Sequence, residues 1–215
     1  TTLFRSNQEL ALVLSMVGSF LLTGAFHEDG FADFCDGFGG GWTKDKIIEI
    51  MKDSRVGTYG VVGLVSILAL KFLSLKGLQP WQLVQALILA HTLSRYAAIT
   101  FVFTHTYAEA SPTSKTTPSK AKPVAQDVPL EAWAVATVLA AIPWLWMCFS
   151  LSWMVLFVPI PLVLLKIYLS NYFTKWIGGY TGDCLGATQQ MAEVLIYLSL
   201  LIFLSHPFSF FHPKI

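Results

Sequence analysis

Four carboxylates, Glu28, Asp29, Asp33 and Asp36, fall within the run His27-Glu28-Asp29-Gly30-Phe31-Ala32-Asp33-Phe34-Cys35-Asp36-Gly37. On a helix, Asp29, Asp33 and Asp36 stand at i, i+4 and i+7, which is one face. Carboxylates so placed repel one another unless a cation sits among them. All of these donors are oxygens, which suits a hard ion such as Mg²⁺, Mn²⁺ or Ca²⁺. The plain alternative is a solvated acidic loop. The run directly follows the apolar stretch Leu10–Phe26. Charge beside a hydrocarbon phase is costly and marks a functional site by default.

Three further features carry chemistry. Met51-Lys52-Asp53-Ser54-Arg55-Val56-Gly57-Thr58-Tyr59-Gly60 joins two cations, an acid, a hydroxyl and turn glycines at the entrance of an apolar stretch. Lys52 and Arg55, with free backbone N–H groups nearby, would make a phosphate cradle. Basic residues also flank many membrane helices for no catalytic reason. Gly178-Gly179-Tyr180-Thr181-Gly182-Asp183-Cys184-Leu185-Gly186-Ala187 supplies glycines that let a backbone approach a ligand, and Asp183 adds a carboxylate from a distant part of the chain. Its other reading is a glycine-rich connector with Asp183 as an N-terminal helix charge. Arg95 lies inside an apolar stretch, where it needs an anion, an Asp of the first cluster, or a path to the interface. His91, one turn earlier, reads as a core hydrogen-bonding residue. Cys35, Cys148 and Cys184 show no paired spacing and read as packing residues.

These residues need elements to position them. Of 215 residues, 54% are hydrophobic and 13% charged, and mean hydropathy is +0.60. Soluble domains carry about 25% charged residues. The apolar residues form six runs long enough to cross about 30 Å of hydrocarbon as helices: about Glu9–Phe26, Thr58–Leu75, Trp81–Phe103, Leu130–Phe149, Leu151–Ser170 (with Pro159 and Pro161 inside) and Gln189–Leu204. The expected fold is therefore all-α, a polytopic membrane protein with six transmembrane helices in one integral-membrane domain over 1–215. Six crossings put the loops Glu28–Gly57, His105–Pro129 and Asn171–Thr188 on one side. That side holds Lys44, Lys46, Lys52, Arg55, Lys115, Lys120, Lys122 and Lys175 against Arg5, Lys76 and Lys214 opposite. Basic residues mark the cytoplasmic face, so the acids should face the cytoplasm. The Ser-, Thr-, Lys- and Pro-rich loop at about 105–129 reads as mobile. A net charge of +1 gives no sign of nucleic-acid binding. The partners expected are a lipid bilayer and small molecules, and a homo-oligomer is left open. Acids, a hard divalent ion and Arg or Lys together are a general solution for phosphoryl chemistry.

At these residues the chain resembles the cobalamin synthase family, the adenosylcobinamide-GDP ribazoletransferases. The run from His27 to Gly37 resembles its H-x-D-G-x-x-D-x-x-D-G signature, and Ile50–Gly60 its I-M-x-D-S-x-x-G-x-x-G pattern. Ser94-Arg95 and Gly179–Ala187 complete the likeness, which runs from about Leu10 to Leu204. Family members begin with a further apolar segment, which implies seven helices in a complete protein. The resemblance implies that adenosylcobinamide-GDP and α-ribazole, or its 5′-phosphate, give adenosylcobalamin, or its 5′-phosphate, plus GMP. It implies Mg²⁺, with Mn²⁺ as the substitute, and the bacterial cytoplasmic (inner) membrane. On it, Asp29, Asp33, Asp36 and Asp183 are expected to hold the metal. One of the acids or His27 would take the hydroxyl proton. Lys52, Asp53, Ser54, Arg55, Arg95, Gly179, Thr181 and Gly182 are expected to contact substrate and phosphate. Two other readings stand beside it. One is a CDP-alcohol phosphotransferase-like enzyme, whose Asp-Gly…Ala-Arg signature meets Phe31-Ala32-Asp33 here. The other is an ion- or proton-coupled transporter.

Overall fold

The computed structural model describes residues 2–109 and 129–205. Among them the architecture is all-α. Its helices are α1 (Thr2–Thr23), α2 (Phe26–Gly40), α3 (Lys44–Met51), α4 (Thr58–Lys76), α5 (Pro80–Thr104), α6 (Leu130–Ser150), α7 (Pro159–Ile177) and α8 (Gly182–Ser205), with a 3₁₀ turn at Trp153–Phe157 before α7. Much of the predicted mobile loop, residues 110–128, lies outside the described residues. Its first part is held: Tyr180 N–H donates to Thr106 O at 3.0 Å and Ala108 N–H to Tyr180 O at 2.8 Å.

Five segments are long and apolar enough to cross a membrane: Thr58–Lys76, Pro80–Thr104, Leu130–Ser150, Trp153–Ile177 and Gly182–Leu204. The first expected span differs. Its helix ends at Thr23, and Gly24 and Ala25 both take left-handed backbone angles (φ 65° and 54°). The chain then turns by 88° into α2, so α1 and α2 are long and apolar enough to span only together, as a bent pair. α2 lies across the first turns of α4 and α8, outside the five segments named above. Three boundaries also shift. The expected loop after the first span is largely helical, as α2 and α3. Pro159 opens α7 rather than breaking it, because a missing N–H costs nothing in the first turn. The glycine-rich connector from Gly182 onward is already the first turns of α8.

The pattern of burial fits this arrangement. α6 buries Ala140 and Met147 and exposes Val135, Val138, Leu139 and Ile142, a face suited to lipid. α8 is the central helix and contributes Ala192, Ile196, Tyr197 and Leu200 to the main core with Leu89 and Ala90 of α5. A second core of Ile47, Ile48, Met51, Phe101, Phe173, Ile177 and Cys184 ties α3, α5, α7 and α8 together beneath the acidic helix. Phe34 and Phe38 of α2 pack on Phe173, with ring centroids 5.9 and 6.0 Å apart.

Candidate active site

Backbone contacts bring the separated motifs to one end of the bundle. A Cβ on Gly30 of α2 would stand 3.1 Å from Asp183 Cα and 3.5 Å from Gly186 Cα. One on Gly186 of α8 would stand 3.1 Å from His27 O. Only glycines allow α2 and the start of α8 to touch backbone to backbone, and the contact sets Asp183 beside the acidic run. Asp29 is exposed, Asp33 half-buried and Asp36 buried. Burial pushes Asp33 up to about 7, and the charges of Asp183, Asp29, Asp36 and Asp53 push it the same way. The expected convergence of Asp183 with the first cluster is therefore present as an electrostatic neighbourhood.

Asp36 has a task the sequence reading did not assign. Its Oδ2 accepts from Gly57 N–H at 2.6 Å and its Oδ1 from Gly60 N–H at 2.8 Å. These are free donors at the start of α4, so Asp36 caps that helix from α2. A Cβ on Gly57 would sit 2.5 Å from Asp36 Oδ1, and one on Gly60 would strike the other oxygen. This explains both glycines of the Ile50–Gly60 pattern. It also corrects the expected phosphate cradle, because these N–H groups are taken by a carboxylate. Asp29, Asp33 and Asp36 all stand on α2, as the spacing predicts. Among the described residues no three His, Cys, Asp or Glu converge as a ready-made metal shell.

Other expected contacts are placed as follows. Lys52 and Ser54 are exposed. Arg55 makes a two-pronged pair with Asp53, with Nη2 to Oδ2 at 2.6 Å and Nε to Oδ1 at 3.0 Å. That pair holds Asp53 down to about 2. Thr181 is a buried cap, its hydroxyl accepting from Cys184 N–H at 3.3 Å and donating to the Met51 sulfur at 3.7 Å. Gly179 lies against Thr106 O, leaving no room for a side chain, and Gly182 is open. Thr181 and Gly179 thus build the turn into α8 rather than face open space. Among the described residues Arg95 pairs with no Asp of the cluster. Its Nη1 donates to His91 Nδ1 and His91 O, both at 3.0 Å. Its charge still reaches His27, whose imidazole is lowered first by burial and then by Arg95.

The sequence reading missed a polar network inside the bundle. Lys71 Nζ lies 3.2 Å from Glu193 Oε2. Glu193 also accepts from Gln189 Nε2 at 2.6 Å and from Tyr197 OH at 2.8 Å. Gln190 Nε2 donates to Glu28 Oε1 at 2.8 Å. Lone charges within apolar helices were the available signal for Lys71 and Glu193.

Fold and site together define an all-α, polytopic membrane protein with a carboxylate-rich site at the junction of two helix starts. The chain matches the cobalamin-5-phosphate synthase family over residues 1–201 and belongs to it. It is 41% identical over 205 residues to the adenosylcobinamide-GDP ribazoletransferase of Leptospira interrogans, covering 90% of this chain and 74% of that one. The proteins of that name from Shewanella piezotolerans (45% over 196 residues, 90% and 73% covered) and Vibrio cholerae (44% over 207 residues, 96% and 76% covered) are similarly close. No solved structure matches. The family assignment sets aside the CDP-alcohol and transporter readings.

Proposed function

We propose that this chain joins adenosylcobinamide-GDP to α-ribazole or its 5′-phosphate, releasing GMP, at the α2/α8 junction. The family places the chain among transferases, and the observation that carries the location is the meeting of Asp33 with Asp183 across the Gly30–Gly186 contact. The donor set fits Mg²⁺ or Mn²⁺: the exposed Asp29 and half-buried Asp33 and Asp183 are oxygen donors within electrostatic reach of one another, and Arg55 is spent on Asp53. Mg²⁺ needs only one or two protein carboxylates beside water and substrate phosphate, so a closed shell of three is not required. Asp29, Asp33 and Asp183 would hold the ion, which when bound neutralises diphosphate charge. Asp36 keeps α2 seated on α4. His27, lowered by burial and by Arg95, is neutral near pH 7 and is suited to take the attacking hydroxyl's proton. Arg95 and Lys52 would meet phosphate oxygens, while Arg55 stays paired with Asp53.

The test is GMP release by purified enzyme in lipid with both substrates and Mg²⁺. Asp33→Asn should insert and fold but lose turnover by orders of magnitude, as the loss of a ligand to the reacting phosphate group requires. Near-normal Mg²⁺-dependent GMP release in that variant would overturn the reading.

The acids face the cytoplasm of a bacterial inner membrane in this proposal, on the basic-residue asymmetry alone. Thr43 and Lys175 are exposed on the acid side. Cysteines placed there, in a background lacking Cys35, Cys148 and Cys184, should resist an impermeant thiol reagent in intact cells and react in inverted vesicles. Labelling in intact cells would reverse the orientation.

A further inference from the structure

The network around Glu193 lies outside the carboxylate site, yet it touches that site at two places. Its members are buried: Lys71 and Glu193 are each 4% exposed, and Gln189 and Gln190 each 1%. Gln189 bonds Ser94 at 3.2 Å, and its Oε1 accepts from Gln190 at 2.9 Å. The charges balance, with Glu28 and Glu193 against Lys71 and Arg95. One branch leaves through Gln189 to Ser94 on α5, the residue before Arg95. His91 Nδ1 receives the Arg95 N–H at 3.0 Å, which places the ring proton on Nε2 and leaves no hydrogen bond to Glu193 across the 3.8 Å between them. Both described bonds of Arg95 use Nη1, and among the described residues no carboxylate lies within salt-bridge distance of it. The other branch leaves through Gln190 to Glu28, the neighbour of Asp29 in the first turn of α2.

We infer that Glu193, with Lys71 and Gln190, is a positioning device for the transfer: through Gln189 and Ser94 it holds the turn of α5 that carries Arg95, and through Gln190 and Glu28 it fixes the first turn of α2. The inference rests on the reading that Asp29 and Asp33 hold the metal and that Arg95 meets phosphate. Stability alone is a poor reason for such a network, because a buried ion pair rarely outperforms apolar residues of similar size. The network also leaves acceptors unspent. Glu28 Oε2 and Gln190 Oε1 are buried without a partner. Glu28 and Lys71 line a small chamber of about 20 Å³ with His91, Glu193 and Tyr197. That volume admits about one water. A chamber serving packing alone would be better filled with methyl groups. One that must hold a guanidinium and a helix end at fixed angles needs directional bonds.

Two variants separate positioning from structure. Gln190→Leu cuts the link to Glu28 without changing charge. Lys71→Met/Glu193→Met removes both members of the ion pair and leaves no unpaired charge. Each is purified in lipid, its folded fraction is measured by thermal unfolding, and turnover is taken per folded enzyme. Gln190→Leu should raise the Mg²⁺ concentration for half-maximal rate several-fold and leave the KM for the GDP-linked donor unchanged. The double variant should raise both constants several-fold and lower kcat about tenfold. A purely structural network would change yield or Tm and leave both constants at wild-type values. That result in either folded variant overturns the inference. If the double variant fails to fold, Gln190→Leu alone decides. Failure of the functional reading itself looks different: the wild-type enzyme would then release no GMP under any Mg²⁺ concentration.

Discussion

Asp36 offers the sharpest test of the geometry, because the structure and the spacing of the acidic run assign it different tasks. Replacing it with Ala removes two charge-assisted bonds, to Gly57 N–H at 2.6 Å and Gly60 N–H at 2.8 Å. A hydrogen bond to a charged group contributes about 1.5–3 kcal/mol. One carboxylate serves both donors, and water can reach the half-exposed Gly57 end, so the two do not simply add. A loss of about 3 kcal/mol follows from these ranges, at the upper end for a cap because the site is buried and the acceptor ionised. For a chain of this size that is a fall of about 6–12 °C in Tm. The assay is thermal unfolding of purified protein, followed by circular dichroism, paired with a Mg²⁺ titration of GMP release. Asp36→Asn should lose nearly as much, since its amide nitrogen would face a backbone N–H donor. Gly60→Ala should reproduce the defect, and combining it with Asp36→Ala should cost little more, because both break one contact. The Mg²⁺ concentration for half-maximal rate should stay close to wild type in the surviving folded enzyme. An unchanged Tm with a greatly raised Mg²⁺ requirement would refute the capping argument and return Asp36 to the metal.

Three further outcomes follow from the same site. Asp33 has a folded-state pKa of about 7, above its ordinary value of 3.8, so the metal-free protein is stabilised below pH 3.8 and loses that contribution as pH rises through 7. Mg²⁺ binds the ionised form, so its apparent affinity should fall by up to about tenfold per pH unit below 7; a Mg²⁺ requirement equal at pH 6 and pH 8 would contradict this. Asp33→Asn and Asp183→Ala should be strongly non-additive in kcat/KM, because residues that hold one ion lose it together; multiplicative losses would separate their roles. Gly186→Ala gains about 1 kcal/mol of helix propensity but puts a Cβ 3.1 Å from His27 O, so α2 must shift by a few tenths of an ångström against α8; its activity should fall more than its Tm, and retained activity would show that the backbone contact does not set the site.

Much of this was legible in the residues. The long apolar runs gave the membrane helices, because 3.6-residue geometry and bilayer thickness leave few alternatives. The acidic run and the distant Asp183 pointed to one end of the bundle, and they meet there. What the residue types did not reveal depended on direction. Asp36 and Asp33 look alike in sequence, but only the packing of α2 on α4 reveals that Asp36 turns to Gly57 and Gly60. Thr181 and Gly179 sit in a glycine-rich motif and read as ligand contacts, yet their partners are Cys184 N–H and Thr106 O. Arg95 was expected to find an Asp, a substrate anion or the interface, and the partner it shows is His91 on its own helix, one turn away. The break at Gly24–Ala25 had no signal in hydropathy, since both flanks are apolar and the turn depends on two left-handed residues.

The glycines and the acids form a single design when helix ends are considered. α4 and α8 both begin beneath α2, and each presents the positive end of its macrodipole there. At α4 that end is neutralised internally by Asp36. At α8 it is occupied by Asp183 in the first turn, while Gly182 beside it is open. The two starts are therefore not equivalent: one is closed by a carboxylate that bonds its N–H groups, and the other displays a carboxylate toward Asp33 and Asp29. A diphosphate brought with a divalent ion would meet the second, where acids can hold the ion and the helix end favours the anion. The close Gly30–Gly186 contact is what lets both attractions act on one ligand, since it holds the acids of α2 against the start of α8 with no side chain between the two backbones.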